Sequence, residues 1–354
     1  MTRITKTEKI ILKPYGKFLS TNKISFIVKN KKEELKKVPF YKVSEIILTT
    51  GNSISTNALF WASIYNIDIL LMSPSGKPLA TLNPLQNTSH VKTRIYQYEA
   101  YRNQKGIEIA KQFVLGKIEA QTKTLKKHKL IPFEACELPS KEVVSRFCGK
   151  NVDSIRHKLT TLEAHYTKHY FSQIFKLFPK FLRIEKRESL GAYEPLNNLL
   201  NLSYEILTWK ILKAILKAKL EPNLGFLHSI QQHRPSLVCD FQELYRSFID
   251  DFLISYTKNL KQKDFKPEYR KTKTPRIFLK HPQSSHLIKA LNNFFETKVN
   301  IQRIKKHGRK QKLETLINEE ALLLAKFLRN ERKDWVPRIA IPCARIMAIE
   351  KTLL

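Results

Sequence analysis

Glycine is scarce in this chain, with nine in 354 residues. Barrels and sandwiches need more turn residues than that, so the composition leans towards helix. Cysteine is scarcer still: Cys136, Cys148, Cys239 and Cys343. None makes a C-x-x-C pair and their spacing fits no zinc pattern, which argues against a disulfide scaffold or a thiolate metal site and suits a reducing cytosol. Long apolar runs are missing too. The longest, 58–72, is interrupted by Asn66 and Asp68 and is too short to span a bilayer. The N-terminus has no apolar signal core, so the expectation is a cytoplasmic protein with no membrane contact. Acids are the last shortage: 31 Asp and Glu stand against 64 Lys and Arg, for a net charge of +33. A lysine-biased proteome explains part of such an excess. A charge this large still points to a polyanionic partner, because it attracts phosphates at a distance and releases their counterions on binding.

What the chain does have is enough length for two domains and 42% apolar residues to fill their cores. Short β-branched or apolar segments at 9–13, 17–19, 24–28, 45–49, 67–72 and 78–82 read as strands. A helix is expected at 55–65, with Ser55 as its N-cap. The polar stretch 86–90 reads as a linker. From residue 91 onward the pattern is helical. Ile107, Ile109, Phe113, Val114, Ile118 and Leu125 form one buried stripe, and Lys111, Lys117 and Lys123 fall elsewhere, as a solvated face would. Further helices are expected over 151–178, 196–220 and 313–328. The fold class is therefore α+β: a β-rich domain over 1–85, then a larger all-α domain over 91–354.

Residues 220–246 carry the chemistry. His228 follows a turn built on Glu221, Pro222, Asn223, Leu224 and Gly225, and a helical segment then places Asp240 and Glu243 three residues apart. That spacing puts both carboxylates on one helix face. At about 4 Å two such charges repel by roughly 4 kcal/mol at an effective dielectric near 20, so a cation must offset them if they are buried. Arg246 is one candidate and a bound metal ion the other. Glu163, on the 151–178 helix, adds a third carboxylate. A mixed oxygen and nitrogen set of this kind suits Mg²⁺ or Mn²⁺ better than a thiophilic metal. His165 and His169 are four apart but lack an H-E-x-x-H pattern, and read as ordinary polar helix positions.

His228 after Leu220-Glu221-Pro222, followed by Ser236, Leu237, Asp240, Glu243 and Arg246, resembles the signature of the Cas-one family of CRISPR adaptation integrases. Glu163 with Tyr170-Phe171 seven residues on resembles that family's first metal-ligand motif. The run Asn198, Asn201, Tyr204 resembles its asparagine-rich helix start, and 51–59 resembles part of its β-domain. The resemblance implies Glu163, His228 and Glu243 as metal ligands, with Asp240 either sharing the ion or orienting His228. It implies an endonuclease and integrase that joins a DNA 3′-hydroxyl to a CRISPR repeat, acts on double-stranded and branched DNA, forms a homodimer and assembles with the small Cas-two protein. The β-domain would then serve dimer and partner contacts. Lys219, Ala164 and Tyr166 depart from the family pattern, in which small residues are usual.

Asn198, Tyr204, Arg234, Arg246, Lys271, Lys273 and Arg276 are the expected DNA contacts. The last three belong to a basic run, 258–280, with nine Lys or Arg and two acids; 303–312 is a second such run. The competing reading is a non-enzymatic basic DNA-binding or architectural protein whose Glu163, Asp240 and Glu243 only pair with Arg246 and lysines. Either way, affinity for DNA is expected to fall about a thousandfold or more between 50 and 200 mM salt, as fluorescence anisotropy titrations would report. A flat salt dependence would mean the basic runs meet no phosphate.

Overall fold

The computed structural model describes residues 8–12, 15–30, 33–72, 78–82, 91–130, 144–189, 191–232, 234–269, 274–301 and 309–341. The expected linker at 86–90, Lys271, Lys273, Cys136, Cys343 and most of the second basic run lie outside them. The chain divides into two compact units, 1–89 and 90–354.

The first unit holds two four-stranded sheets. β1 (Glu8–Leu12), β5 (Val43–Thr49), β7 (Asp68–Met72) and β8 (Pro78–Leu82) form one, parallel except for β8. β4 (Glu33–Pro39), β3 (Ser25–Asn30), β2 (Lys17–Thr21) and β6 (Ser53–Ile54) form the other. Helix α1 (Thr56–Ile64) joins β6 to β7, and the Ser55 side chain caps it by accepting from Ala58 N. Strand β4 was not legible in the sequence. It reads EELKKVP and buries only Val38, as suits an edge strand guarded by charge. Phe40 anchors the core, stacked on Trp61 at 5.1 Å and edge-on to Phe26 at 4.8 Å. The 51–59 run makes a corner. Gly51 takes φ +81°, and the Asn52 side chain accepts from Lys17 N and donates to Leu12 O and Thr49 Oγ1. It is scaffolding.

The second unit is mostly helical: α2 (Val91–Tyr101), α3 (Gln104–Lys127), α4 (Val152–Ile174), α5 (Pro195–Lys217), α6 (Ser236–Glu243), α7 (Arg246–Tyr256), α8 (Gln283–Phe295) and α9 (Leu313–Leu328). Two small sheets stand where an all-helical unit was expected. β9 (Phe265–Glu268) and β10 (Arg276–Leu279) form a hairpin, and β11 (Lys298–Ile301) lies between β12 (Arg309–Lys312) and β13 (Ala340–Ile341). Four of these five strands have four residues and at least one charge, and β13 has only two residues, too little alternation to be read. Pro267 and Pro275, which rule out a helix there, leave a two-stranded hairpin open.

Helix α3 runs through the core. All six residues of its expected stripe are buried, and so is Lys117, which is 5% exposed rather than solvated. Gly116 explains how. A Cβ there would come within 2.6 Å of the Leu244 side chain, so glycine lets α3 close on the α6–α7 junction. At the far end of α5 the absent family glycine leaves a measurable trace. Lys219 adopts φ +62°, its N–H reaching Leu216 O at 3.0 Å while Leu220 N reaches Ile215 O at 3.1 Å. These are the two bonds of a Schellman cap, made by a residue whose Cβ resists the left-handed region. Lys219→Gly is expected to stabilise the protein by about 1 kcal/mol. A rise in the urea midpoint at unchanged m-value would show it.

Candidate active site

The loop between α5 and α6 is built around one carboxylate. Asp240 is fully buried. Its Oδ2 accepts from Phe226 N at 2.6 Å and Leu227 N at 3.0 Å, and its Oδ1 accepts from His228 N and His228 Nδ1, both at 2.8 Å. Three backbone N–H groups and a ring nitrogen thus converge on it, each a charge-assisted bond of the stronger kind. Gln97, from α2, clamps the loop's start by donating to Glu221 O and Leu224 O and accepting from Glu221 N. Gly225 is required because a Cβ would lie 2.7 Å from the Ser236 backbone. In the neutral imidazole the proton therefore sits on Nδ1 and the lone pair on Nε2, which bonds no described residue. Asp240 thus holds His228 by its backbone and ring nitrogens, and each of its oxygens already accepts two bonds.

Glu163 on α4 and Glu243 at the end of α6 meet the same ammonium. Lys117 Nζ is bonded to Glu163 Oε1 and lies 2.5 Å from Glu243 Oε2. Thr167 Oγ1 also donates to Glu163 Oε1, at 2.8 Å. The contact to Glu243 Oε2 falls outside the directional range of a hydrogen bond, so this buried oxygen has charge beside it but no aligned donor. Its Oε1 takes Arg246 Nη1 at 2.7 Å, and Arg246 Nη2 goes to Gln242. Burial pushes the Glu243 carboxyl up, but Arg246, Lys117 and the nearby His228 outweigh it and bring it down to about 2. It is ionised at any ordinary pH. Arg246 thus supplies part of the offsetting charge that the helix spacing demanded, and Lys117 supplies the rest. No three His, Cys, Asp or Glu side chains among the described residues are close enough, as they stand, to ligate one metal ion.

Known proteins resemble this chain along most of its length. The family profile described as CRISPR associated protein Cas1 matches residues 10–293. The chain belongs to the Cas1 family. A curated relative from Korarchaeum cryptofilum, named CRISPR-associated endonuclease Cas1, is 27% identical over 324 residues, covering 87% of this chain and 91% of its own. Among solved structures, a casposase bound to integration product shares the fold with a TM-score of 0.72 and 22% identity, covering 93% of this chain and 92% of that one. A Cas6-RT-Cas1–Cas2 complex does so with a TM-score of 0.67 and 20% identity, covering 94% of this chain and 36% of the longer one.

The Cas1 asparagine-rich helix start is a staple here. Asn198 Nδ2 donates to Ala192 O and Ile277 O, tying α5 to β10, and Asn201 bonds Ser189 O and Arg187. Tyr204 is buried, donates its hydroxyl to Asp250, and lies under the guanidinium groups of Arg187 at 5.3 Å and Arg246 at 5.0 Å. Of the residues expected to meet DNA, Tyr204 is buried, while Asn198 and Arg246 bond protein groups yet remain partly exposed. Arg276 packs its guanidinium over the Tyr193 ring at 5.8 Å, and Arg234 is exposed, bonded to Gln231. His165 and His169 are exposed on α4.

Asp250 went unremarked in the sequence as a site residue. It sits on α7 with Tyr170 of α4 and Tyr204 of α5 donating to its two oxygens. Burial raises its carboxyl to about 6, against the opposing pull of those hydroxyls and of Arg187 and Arg246. Its folded value thus lies above its ordinary 3.8. The protonated form is favoured on folding, and stability falls as pH rises from below 4 through about 6. The loss approaches about 3 kcal/mol above that range. Asp250→Asn should gain on the wild type by about that amount between pH 4 and pH 7, as urea titrations across the range would measure.

Proposed function

We propose that this chain is a metal-dependent DNA endonuclease and integrase that inserts DNA fragments into a CRISPR array. The observation that carries the reading is the meeting of Glu163 and Glu243, eighty positions apart, on one cation beside a histidine whose tautomer Asp240 fixes. The donor set fits a hard divalent ion: two carboxylates already share a positive charge, one of their oxygens lacks an aligned donor, and Nε2 of His228 has a lone pair to give. Glu163, His228 and Glu243 would hold Mg²⁺ or Mn²⁺. Such an ion supplies polarisation of a phosphodiester and orientation of the attacking oxygen.

The chain's own residues do the rest. Asp240 holds the 226–228 backbone and the imidazole in one geometry, so His228 needs no reordering when a ligand arrives. Arg246 keeps Glu243 ionised. In integration the 3′-hydroxyl of a fragment attacks a repeat phosphodiester, forming a new P–O bond as the old 3′-oxygen leaves. Water in place of that hydroxyl gives strand cleavage of double-stranded or branched DNA. The excess of basic residues would hold DNA by its phosphates without reading sequence.

The remaining parts of the reading follow the family. The 1–85 domain would serve dimer and partner contacts and the 91–354 domain the chemistry. A homodimer would carry two such sites, and a small Cas2 protein is the expected partner, supported by the likeness to the Cas1–Cas2 complex. No helix among the described residues is long and apolar enough to cross a membrane, which is consistent with action in the cytoplasm.

A second reading has one observation in its favour. Glu163 and Glu243 are ion-paired with Lys117 and Arg246, as they would be in an architectural DNA-binding protein with no chemistry. His228→Ala separates the two. Under the enzymatic reading, Mn²⁺-dependent strand cleavage and joining fall by about a hundredfold or more while DNA affinity stays within about twofold. Equal activity in variant and wild type, or none in either, would leave the architectural reading.

A further inference from the structure

Lys117 is the side chain that helical periodicity misplaces. The lysines six residues to either side of it on α3 reach solvent in part, but its own ammonium is buried between two carboxylates from two other helices. The position is built. Gly116 brings α3 against the α6–α7 junction, Thr167 holds Glu163 Oε1 from its own helix, and Arg246 holds the far oxygen of Glu243. One turn further along α3, Gln121 is 7% exposed, with its amide nitrogen bonded to Thr167 and its Oε1 without a hydrogen-bond partner among the described residues. Residues four apart lie on one helix face, so this orphaned oxygen stands next to the lysine's own reach.

We propose that Lys117 is a resident counter-cation of the catalytic centre, exchanged for the divalent ion on loading and then passed to the Gln121 amide oxygen and a DNA phosphate. This rests on the metal-dependent reading above. An ammonium and a divalent cation cannot share two carboxylates at contact distance, because like charges repel strongly in a buried site. Nor can the displaced ammonium stay buried and unpaired, since that penalty is among the largest in protein interiors. The Gln121 oxygen gives it a neutral acceptor nearby, and the substrate brings the one new anion to the site. The lysine thus has two tasks: it keeps Glu163 and Glu243 together before the ion arrives, and it makes ion binding conditional on somewhere for its charge to go.

The test uses full-length protein and Mn²⁺ alone, followed by calorimetry. Lys117→Met should bind Mn²⁺ at least tenfold more tightly than the wild type, because no ammonium competes. In EDTA it should melt at a lower temperature than the wild type, and saturating Mn²⁺ should restore it. Adding a short DNA duplex should tighten Mn²⁺ binding by the wild type and leave Lys117→Met nearly unmoved. Unchanged or weaker Mn²⁺ binding by Lys117→Met, or no coupling to DNA in the wild type, overturns the proposal. If Lys117→Met is recovered folded only with Mn²⁺ present, the counter-cation role is supported. If neither it nor Lys117→Gln folds even with Mn²⁺, the lysine is purely structural and the proposal falls. His228→Ala keeps the two levels apart. Mn²⁺ binding by that variant equal to wild type would sink the metal centre itself, whereas lost binding there with no gain in Lys117→Met would sink only the lysine's part.

Discussion

The second unit is arranged around a single requirement, that two carboxylates from distant parts of the chain, one buried and one half-buried, meet on the same ammonium. At about 4 Å an unscreened pair would repel by roughly 4 kcal/mol at an effective dielectric near 20, a sizeable part of a domain's whole stability. Three helices must therefore meet within a few ångströms. Helix α3 brings the ammonium, α4 brings Glu163 and α6 brings Glu243. The close approach allowed by Gly116 and the apolar contacts of Phe113 with Phe241 and Trp335 hold α3 and α6 at that spacing. Core packing and site electrostatics are here one constraint seen from two sides.

Asp240 and Glu243 share a helix and are three residues apart, yet they are used in opposite ways. The shorter side chain is saturated by donors that belong to the protein, three of them backbone, and becomes part of the loop's frame. The longer one faces cations only, and one of its oxygens lacks an aligned donor. Directional bonds fix a geometry, whereas a charge contact without alignment leaves room for exchange of the cation. The first carboxylate is thus suited to positioning His228 and the second to receiving something that arrives and leaves.

Much of this was legible in the sequence because local pattern and global role agree there. The 313–328 helix has the boundaries its periodicity predicts, and Asn151 caps α4 as an N-terminal asparagine should. Glu163, His228 and Glu243 stood out in the sequence by motif spacing, and the structure brings Glu163 and Glu243 to one lysine. What could not be read was burial of the wrong kind. Lys117 interrupts an apolar stripe and looks solvated until its two acids, 46 and 126 positions away, are brought beside it. Tyr204 and Asn198 carry polar groups that sequence cannot assign to protein or to ligand. Strand β4 hides because charge protects an edge and also masks alternation. Of the departures at Ala164 and Tyr166, the first is exposed and the second packs on the core's margin.

The acid deficit acquires a meaning from where the acids sit. Glu45, Asp240, Glu243, Asp250, Asp251 and Glu320 are buried, and five of these six lie in the second unit. Each of those five has donors of its own: Glu320 ties Trp335 and Arg338 to α9, and Asp251 holds Lys127 and His128. A chain with 31 acids against 64 bases thus spends several of its acids on internal clamps, which leaves fewer still to neutralise its surface. The resulting field draws phosphates from beyond contact range but falls off within about 8 Å at physiological salt. Close to the centre the field is weaker, because Glu163 and Glu243 take up the charges of Lys117 and Arg246. A DNA backbone drawn in by the surface would meet a nearly balanced centre, where a further cation would favour its last approach.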